Sequence, residues 1–361
     1  MKYNKTILAL GADIKNRALV ARGDELYFCP DVGDLSDARN YEFFRKNISA
    51  LLKKLKLKPD IIASDRHPGY FSSQFAEESA FLFARKNIRL KIQHHHAHIA
   101  SVLYENSICK PVLGVSFDGT GYGDDGNIWG GEFLLVESSS YKRLAHFKYI
   151  PLAGGDRVVH EPWRIVLGVL GRDGKKYLKN VSEKDKCLVL NMIEKNINVP
   201  LSSSAGRLFD AASALMGICT HASFEAEAAI KLESLCREGV EKSYPFKSIQ
   251  KDGSMIIDSG SLFYHMLEDL KRKEDVEIMA TKFHNSMADI IVSTVKRLSQ
   301  RHHVRDIALS GGVFQNRFLR TKVKEKLSGA GFQVFLNKEA GSSDINISLG
   351  QYHVSCCSWK N

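Results

Sequence analysis

Hydrophobic and polar positions alternate along the first hundred residues in a pattern that predicts strands and helices in turn. Three apolar runs, "TILALGAD", "RALVARG" and "ELYFCPDVG", predict strands, and Gly23 with Asp24 predicts a hairpin turn between the second and third. The segment "YEFFRKNISALLKKL" has the spacing of an amphipathic helix. The segments "PDIIASDRHP", "FAEESAFLFARKN" and "RLKIQ" then predict a strand, a helix and a strand.

The same order of elements begins again near residue 110. "PVLGVSFDGTGYGDDGNIWGGEFLLVE" predicts two strands around a glycine-rich turn, and "YKRLAHFKYI" a third. After a long helical insertion at about 156–300, "RDIALSGGVFQN", "RFLRTKVKEKLSGAG", "FQVFLN" and "SDINISLGQYHV" predict strand, helix, strand and helix. An aspartate beside a glycine follows the first strand of each copy, Asp13 and Asp118. We therefore predict a duplicated α/β fold of the actin, sugar-kinase and Hsp70 type, with ribonuclease-H-like lobes at 1–109 and 110–361.

Composition and charge narrow the possible partners. The 361 residues are 44% hydrophobic and 25% charged, which is typical of a soluble globular protein, and no apolar run is long enough to span a membrane. The net charge of +10 would suit nucleic acid, a phosphorylated ligand or an acidic partner, but no basic groove with interleaved aromatic residues is visible, so we expect no nucleic acid partner. The seven cysteines are scattered without a CxxC pair, which predicts a cytoplasmic protein.

The stretch "QHHHAH" at 93–98 holds four of the thirteen histidines. It follows a predicted strand and opens a predicted helix, so His94 and His98 lie one turn apart on the same helix face. That spacing is used by pairs of metal ligands, although histidines at a helix start can also be simple polar residues. A metal site would need a further ligand from elsewhere in the chain. The glycine-rich turns at Asp118–Gly121 and Ser310–Gly312 could bring backbone N–H groups close to phosphate oxygens.

Five ordered motifs resemble one family. They are "HHHAHIASVLYE", "VLGVSFDGTGYGDDGNIWGGEF", "EPWRI", "SSSAGRLFDAASALMGI" and "LSGGVFQN". The chain resembles the C-terminal half of HypF-type hydrogenase-maturation carbamoyltransferases, which is similar to the tRNA threonylcarbamoyl-transfer family. The resemblance implies transfer of a carbamoyl group from carbamoyl-adenylate to the C-terminal cysteine thiol of HypE, which later becomes a cyanide ligand of NiFe hydrogenase. Full-length enzymes also carry acylphosphatase-like and adenylate-forming domains. None precedes "TILALG", so we expect the second half-reaction alone.

The resemblance also implies the site residues. One divalent metal, Fe or Zn, would be held by His94, His98, Asp118 and Asp344, with His95, His96 and Asp118 as catalytic residues. A Mg-nucleotide, the ATP, ADP or AMP moiety of carbamoyl-adenylate, would be bound by Lys15, Asn16, Gly119, Thr120, Gly121, Gly206, Arg207, Asp210, Glu225, Ser310, Gly311, Gly312 and Asn316. Asp65 and His67 follow a predicted strand and either face the cleft or form a turn.

Three segments depart from the motifs of that family. Arg17 stands where "KNT" has threonine, and Glu227 lies in "EAEAA" where the family has "EGQAA". Ile345 and Asn346 replace two glycines after the last ligand aspartate. Arg17 and Glu227 are expected to place charges near the nucleotide and could alter its affinity, whereas the predicted metal ligands are unaffected.

Three other functions stay open at this point. The chain could transfer the carbamoyl group to an oxygen of a small molecule or act on tRNA. It could also be a non-catalytic module that binds a nucleotide and a partner, or a sugar kinase of the same fold. A sugar kinase needs no histidine cluster between its lobes, so a measurement of bound metal would distinguish a sugar kinase from a carbamoyltransferase.

Overall fold

The computed structural model describes residues 5–82, 88–137, 139–339 and 341–358. The first lobe contains a five-stranded sheet in the order β3-β2-β1-β4-β5. Its strands are β1 Thr6–Ala9, β2 Leu19–Arg22, β3 Glu25–Phe28, β4 Ile61–Asp65 and β5 Ile88–Ile92. β2 and β3 form the predicted hairpin, while β1, β4 and β5 run parallel. The carboxyl ends of β4 and β5 therefore meet at one edge of the sheet.

The second lobe contains a seven-stranded sheet in the order β11-β12-β8-β7-β6-β13-β14. Its strands are β6 Val112–Phe117, β7 Gly131–Glu137, β8 Ser140–Phe147, β11 Lys247–Lys251, β12 Ser254–Asp258, β13 Asp306–Ser310 and β14 Gln333–Phe335. Two short strands, β9 Ile150–Pro151 and β10 Leu201–Ser202, form a separate pair. The segment β8-β7-β6-β13-β14 repeats the strand order of the first sheet. This repeat confirms the predicted duplicated α/β fold.

Twelve α-helices lie among the described residues. They are α1 Ala38–Leu55, α2 Phe71–Leu82, α3 His94–Glu105, α4 Arg157–His160, α5 Trp163–Leu170, α6 Glu183–Glu194, α7 Ala205–Leu215, α8 Glu227–Ser234, α9 Gly260–Lys271, α10 Val276–His302, α11 Arg317–Gly329 and α12 Ile347–Ser358. Short 3₁₀ helices span Gly171–Tyr177, Gly312–Gln315 and Asp344–Asn346. None of the helices in the described ranges is long and apolar enough to cross a membrane.

The predicted helical insertion at about 156–300 also contains strands. The hairpin β11–β12 extends the second sheet beyond β8 through parallel pairing of β12 with β8. Its turn consists of Asp252 and Gly253, both with positive φ angles of 48° and 80°. An Asp-Gly pair is a strong hairpin signal because both positions of such a turn need a left-handed backbone. The sequence therefore contains a local signal for this hairpin, which the prediction of a helical insertion overlooked.

The last helix packs in the first lobe, although the division at residue 110 assigned it to the second. Ile347 and Val354 of α12 share a buried apolar cluster with Ile7 of β1 and Ala63 of β4. α12 also lies directly against α3. Helical periodicity predicts that a helix exists but not which sheet its apolar face covers, so this return to the first lobe had no local signal.

Candidate metal centre and nucleotide cavity

The histidine run lies at the start of α3, immediately after β5. Gln93 caps this helix, because its side-chain oxygen accepts a hydrogen bond from the backbone N–H of His96 at 2.9 Å. All four imidazoles are at most 2% exposed. A solvated polar run would be exposed, so these side chains form part of an internal site.

His94 and His98 converge with two carboxylates from the second lobe and the segment before α12. One ligand atom from each of His94, His98, Asp118 and Asp344 lies within 4.8 Å of the others, and no second group of this kind occurs among the residues described. The Nε2 atom of His98 is 2.7 Å from Oδ2 of Asp118. The Nε2 atom of His94 is 3.8 Å from a carboxylate oxygen of each aspartate. The four predicted metal ligands are thus brought together.

These atoms fit a bound cation. Both Nε2 atoms and Oδ2 of Asp118 are buried without a hydrogen-bond partner. His98 and Asp118 are close enough for a hydrogen bond but lack its geometry. Buried polar atoms left unpaired cost free energy, and three that face one point are stabilised if a cation binds there. Two imidazole nitrogens with carboxylate oxygens are a donor set that suits Fe or Zn.

Asp65 supports the first of these ligands. Its Oδ2 lies 2.8 Å from Nδ1 of His94, and its Oδ1 accepts from the backbone N–H of His67 at 2.9 Å. The carboxylate therefore holds the proton on Nδ1 and leaves Nε2 free as a ligand atom. Burial lowers the pKa of His94, but the nearby carboxylates of Asp118 and Asp65 outweigh burial and raise that pKa well above its ordinary value. Asp65 was predicted either to face the cleft or to form a turn, and the structure supports the first of these interpretations.

The two predicted catalytic histidines lie beside the ligand group but outside it. Gln93 Nε2 donates to the carbonyl of Tyr122 at 3.1 Å and lies 3.0 Å from Nδ1 of His95. The side-chain oxygen of Gln93 already accepts from His96, so the side-chain nitrogen of Gln93 is the atom that faces His95. This nitrogen donates to Nδ1 of His95, and the ring proton of His95 is therefore on Nε2. Burial and the positive charge of His94 lower the pKa of His95 to about 3, so its ring is neutral. The ring of His96 packs 4.9 Å from that of Tyr141.

A cavity of about 250 Å³ leads to the ligand group, and both Asp118 and Asp344 line it. Most of the predicted nucleotide residues line it as well, namely Lys15, Gly119, Thr120, Gly206, Arg207, Asp210, Glu225, Gly312 and Asn316. Four others lie behind its wall: Asn16, Gly121, Ser310 and Gly311. Asn16 donates to the carbonyl of Leu10 at 2.7 Å, and Ser310 donates to Asn337 at 2.9 Å, so both hold loops in place.

The glycine-rich turn and the start of α7 form one wall of this cavity. Ser204 caps α7, since its hydroxyl accepts from Arg207 N at 3.1 Å and donates to the carbonyl of Asp118 at 2.7 Å. Arg207 also donates to Oδ2 of Asp210 at 2.6 Å. Burial raises the pKa of Asp210 to about 6 even though Arg207 lowers it. The N–H groups of Ala205 and Gly206 donate to backbone carbonyls, so it is the positive end of the α7 dipole that favours an anion beside this turn.

Comparison with known proteins agrees with this arrangement. The family model "HypF Kae1-like domain" matches residues 2–105, and "Carbamoyltransferase, Kae1-like Domain, second subdomain" matches residues 114–351. The chain belongs to the HypF carbamoyltransferase family. A "Carbamoyltransferase HypF homolog" of Cupriavidus necator is 35% identical to this HypF-family chain over 97% of the chain and 91% of that protein. A Synechocystis "Carbamoyltransferase HypF" is 32% identical over 96% of the chain and 46% of that protein.

Solved HypF structures match the fold closely. The structure of full-length HypF in a phosphate- and nucleotide-bound form has a TM-score of 0.93 and 33% identity, and covers 98% of this chain and 55% of that one. The structure of T. kodakarensis HypF has a TM-score of 0.89 and 31% identity over 99% of this chain and 48% of that one. The HypF-family chain thus spans nearly the whole of one relative and about half of the others.

The two charged departures from the HypF motifs lie away from the cavity. Arg17 packs its guanidinium over the ring of Phe28, 4.3 Å from the ring centroid. Glu227 forms an ion pair with Lys231 at 2.7 Å on the first turn of α8. Neither side chain lines the cavity, so the cavity wall lacks the two charges that were expected near the nucleotide. The course of each loop explains this difference, since the nearby residues Lys15 and Glu225 do line the cavity.

Replacing Asp65 by asparagine is expected to weaken metal affinity by about 10- to 100-fold, the usual effect of losing a partner behind a histidine ligand. Two donors, His94 Nδ1 and His67 N, point at the carboxylate, and an amide has one oxygen to serve both. Competition with a chelator measures the affinity. Asp24→Asn, an exposed carboxylate in the β2–β3 turn, is the matched control. Equal affinity in both variants would show that Asp65 does not orient the ligand.

Proposed function

We propose that this chain transfers a carbamoyl group from carbamoyl-adenylate to a cysteine thiol of a HypE-type acceptor, a step toward the cyanide ligands of NiFe hydrogenase. One observation carries the proposal. The cavity that would take the adenylate is lined by Asp118 and Asp344, which lie beside buried His94 and His98, so the phosphate end of a nucleotide and the carbamoyl carbon would meet the ligand group. Family membership supports the reaction class, and the nucleotide-bound HypF neighbour supports the ligand.

The residues around the cavity suit each part of the donor molecule. The turn at Gly119 and Thr120 and the turn at Gly312 would direct backbone N–H groups at phosphate oxygens. The first N–H groups of α7 already donate within the protein, so this helix would contribute only the positive end of its dipole. Lys15 lies at the mouth with an exposed ammonium group that would neutralise phosphate charge. Glu225 also lines the cavity, and its carboxylate would accept hydrogen bonds from ribose hydroxyls. These contacts would fix the carbamoyl group beside Asp118.

His94 and His98 with Asp118 and Asp344 would hold one Fe or Zn ion. When bound, such a cation polarises a carbonyl oxygen as a Lewis acid. Asp65 fixes the orientation of His94, and the burial of both histidines and Asp118 limits the access of bulk water to the reacting carbon. His95, neutral with its proton on Nε2, can donate a hydrogen bond but cannot serve as a cationic acid at neutral pH.

The thiol nucleophile is expected from the acceptor. No cysteine lines the cavity among the residues described. Burial raises the pKa of Cys29 to about 11 and that of Cys236 to about 12, which keeps both thiols protonated and poorly nucleophilic. A thiolate delivered on a flexible acceptor terminus would instead enter the cleft from outside.

The first-lobe aspartate argues against a sugar kinase. Oδ1 of Asp13 accepts from the backbone N–H and the hydroxyl of Ser72 at 2.9 and 2.8 Å, and Oδ2 accepts from Phe71 N at 2.7 Å. Asp13 therefore caps α2 and has little capacity left for a magnesium ion. This use of the acid, together with the imidazole group beside the cavity, favours carbamoyl transfer over phosphotransfer.

Mass spectrometry of the acceptor tests the proposal. The metal-loaded chain is mixed with HypE and either preformed carbamoyl-adenylate or carbamoyl phosphate plus ATP. We expect a carbamoyl adduct on the acceptor cysteine in the first mixture and none in the second, and none on an acceptor with serine in place of that cysteine. Adduct from carbamoyl phosphate plus ATP would reveal activating chemistry in this chain. Modification of tRNA or a small alcohol, with HypE left unmodified, would favour those acceptors instead.

A further inference from the structure

A second pocket, of about 860 Å³, opens on the first lobe and shares no lining residue with the nucleotide cavity. It is bounded by edge strand β3, the end of α3 and the segment that leads into α12. Arg17 and Ile345 both line it. These are two of the positions where the chain departs from the motifs of its family, so the departures converge on one surface.

Arg17 brings a cation without a close partner to this pocket. Its Nε atom is buried and makes no hydrogen bond, and no carboxylate in the described part of the chain forms an ion pair with it. Its guanidinium stacks on the ring of Phe28. Burial lowers the pKa of Arg17 although Asp31 and Glu105 raise it, so the nearby carboxylates do not fully offset its burial. A half-buried guanidinium in this state is stabilised if an anionic group binds it.

The strand beside Arg17 has a free edge. β3 is the outermost strand of its sheet, and Cys29 N donates to Ala18 O at 2.8 Å. In an antiparallel pair the hydrogen-bonded positions alternate, so Tyr27 bonds to β2 while Leu26 and Phe28 direct their N–H and C=O groups outward. Within the described residues those outward groups have no partner beyond the strand pair. The side chains of the same two residues line the pocket.

We propose that this surface binds an extended peptide segment that adds to β3 as a further strand and places an acidic side chain against Arg17. Strand addition explains the free backbone groups, and the pocket accepts alternate side chains of the added strand. Leu26, Phe28, Ile345 and Leu349 offer an apolar wall for its other side chains. The occupant is therefore a peptide with apolar residues at alternate positions and one carboxylate among them.

The other charges of the pocket are compatible with this occupant. Oε2 of Glu105 accepts from Asn337 Nδ2 at 3.1 Å and from Lys338 N at 2.8 Å, so this carboxylate is held by hydrogen bonds within the protein. Glu339 is exposed at the rim and has no such compensation. It repels an incoming carboxylate, and Glu339→Gln is expected to strengthen binding.

Fluorescence anisotropy with a labelled heptapeptide, Val-Thr-Val-Thr-Glu-Thr-Val, tests the proposal. We expect binding that weakens about tenfold when the peptide glutamate becomes glutamine or when Arg17 becomes glutamine, as loss of one charge-assisted pair predicts. Arg17→Gln should lower the melting temperature only slightly, since the guanidinium makes no hydrogen bond to the described residues and the variant loses its stacking on Phe28. Arg22→Gln, which removes a charge from the opposite face of the β2–β3 hairpin, should bind as the parent does. Hydrogen exchange should slow in the segment 25–29 on peptide binding.

Several results would overturn the proposal. Absence of binding at millimolar peptide would do so, as would an affinity that Arg17→Gln leaves unchanged. If N-acetylglutamate competes as well as the whole peptide, and exchange in 25–29 stays fast, the pocket is a small-carboxylate site and no strand is added. Stronger binding to the glutamine peptide than to the glutamate peptide would contradict the role of Arg17.

Discussion

Replacing His94 and His98 together by alanine is expected to reduce bound metal from about one ion per chain to none. The two imidazoles supply the nitrogen ligands of the group, and the remaining Asp118 and Asp344 would hold a soft divalent ion weakly. Carbamoyl transfer should fall by about 10³-fold or more, since polarisation by a metal contributes several kcal/mol and each 1.4 kcal/mol is a factor of ten. Elemental analysis of untagged protein and the HypE assay measure the two effects.

The matched control for this double variant removes two exposed histidines, His221 and His265. It has the same histidine content as the test variant but keeps both predicted ligands, so it measures how much of the bound metal depends on surface imidazoles. Circular dichroism checks that the fold persists, because the variant removes two buried rings and takes the Nδ1 atom of His94 away from the buried carboxylate of Asp65. Full metal content in the His94 and His98 double variant would place the site elsewhere.

Gly350→Ala is expected to lower the free energy of unfolding by about 3 kcal/mol or more, the upper range of overpacking effects. A Cβ atom at Gly350 would lie 1.8 Å from the carbonyl oxygen and 2.8 Å from the Cα of Ala97, which belong to the backbone of α3. Backbone cannot rotate aside as a side chain can, so α12 and α3 would have to separate. Because α3 carries His94 and His98, metal affinity should fall together with stability.

Gly329→Ala is the control for that prediction. It lies at the end of α11, where an added Cβ meets nothing within 4 Å. Alanine has the higher helix propensity, so this variant should match the parent or exceed its stability by a few tenths of a kcal/mol. Urea unfolding curves of the three proteins measure the difference. Equal stability of Gly350→Ala and Gly329→Ala would mean that α12 does not pack on α3 as described.

Local patterns predicted most of the fold. Alternation along β1–β3 and the Gly23–Asp24 turn indicated the first hairpin, and the restart near residue 110 indicated the duplication, because both signals depend on neighbouring residues alone. The β11–β12 hairpin was missed within a segment interpreted as helical, despite its Asp252–Gly253 turn. The docking of α12 on the first sheet depends on contacts between residues more than 300 positions apart, such as Gly11 with Gln351, which no local period reveals.

The site was predictable in a different way. The spacing of His94 and His98 indicated two ligands on one helix face, whereas Asp118 and Asp344 came from the family resemblance. Asp65 was left between two readings because its partner lies 29 residues away. Its place follows from topology: Asp65 pairs with Ile92 across parallel β4 and β5, and His94 comes two residues later. The inward or outward direction of Arg17 and Glu227 depended on loop geometry, which motif comparison does not provide.

The central claim is that one metal and one nucleotide share a site at the junction of the two lobes. Anomalous diffraction from crystals of the untagged, metal-loaded chain soaked with ADP tests it directly, with data on both sides of the iron and zinc absorption edges. We predict one anomalous peak at about 2.0–2.2 Å from Nε2 of His94 and of His98, with the nucleotide phosphates between the turns at Gly119 and Gly312 and directed toward it. A metal peak away from these histidines, or a nucleotide bound outside this cavity, would contradict the account.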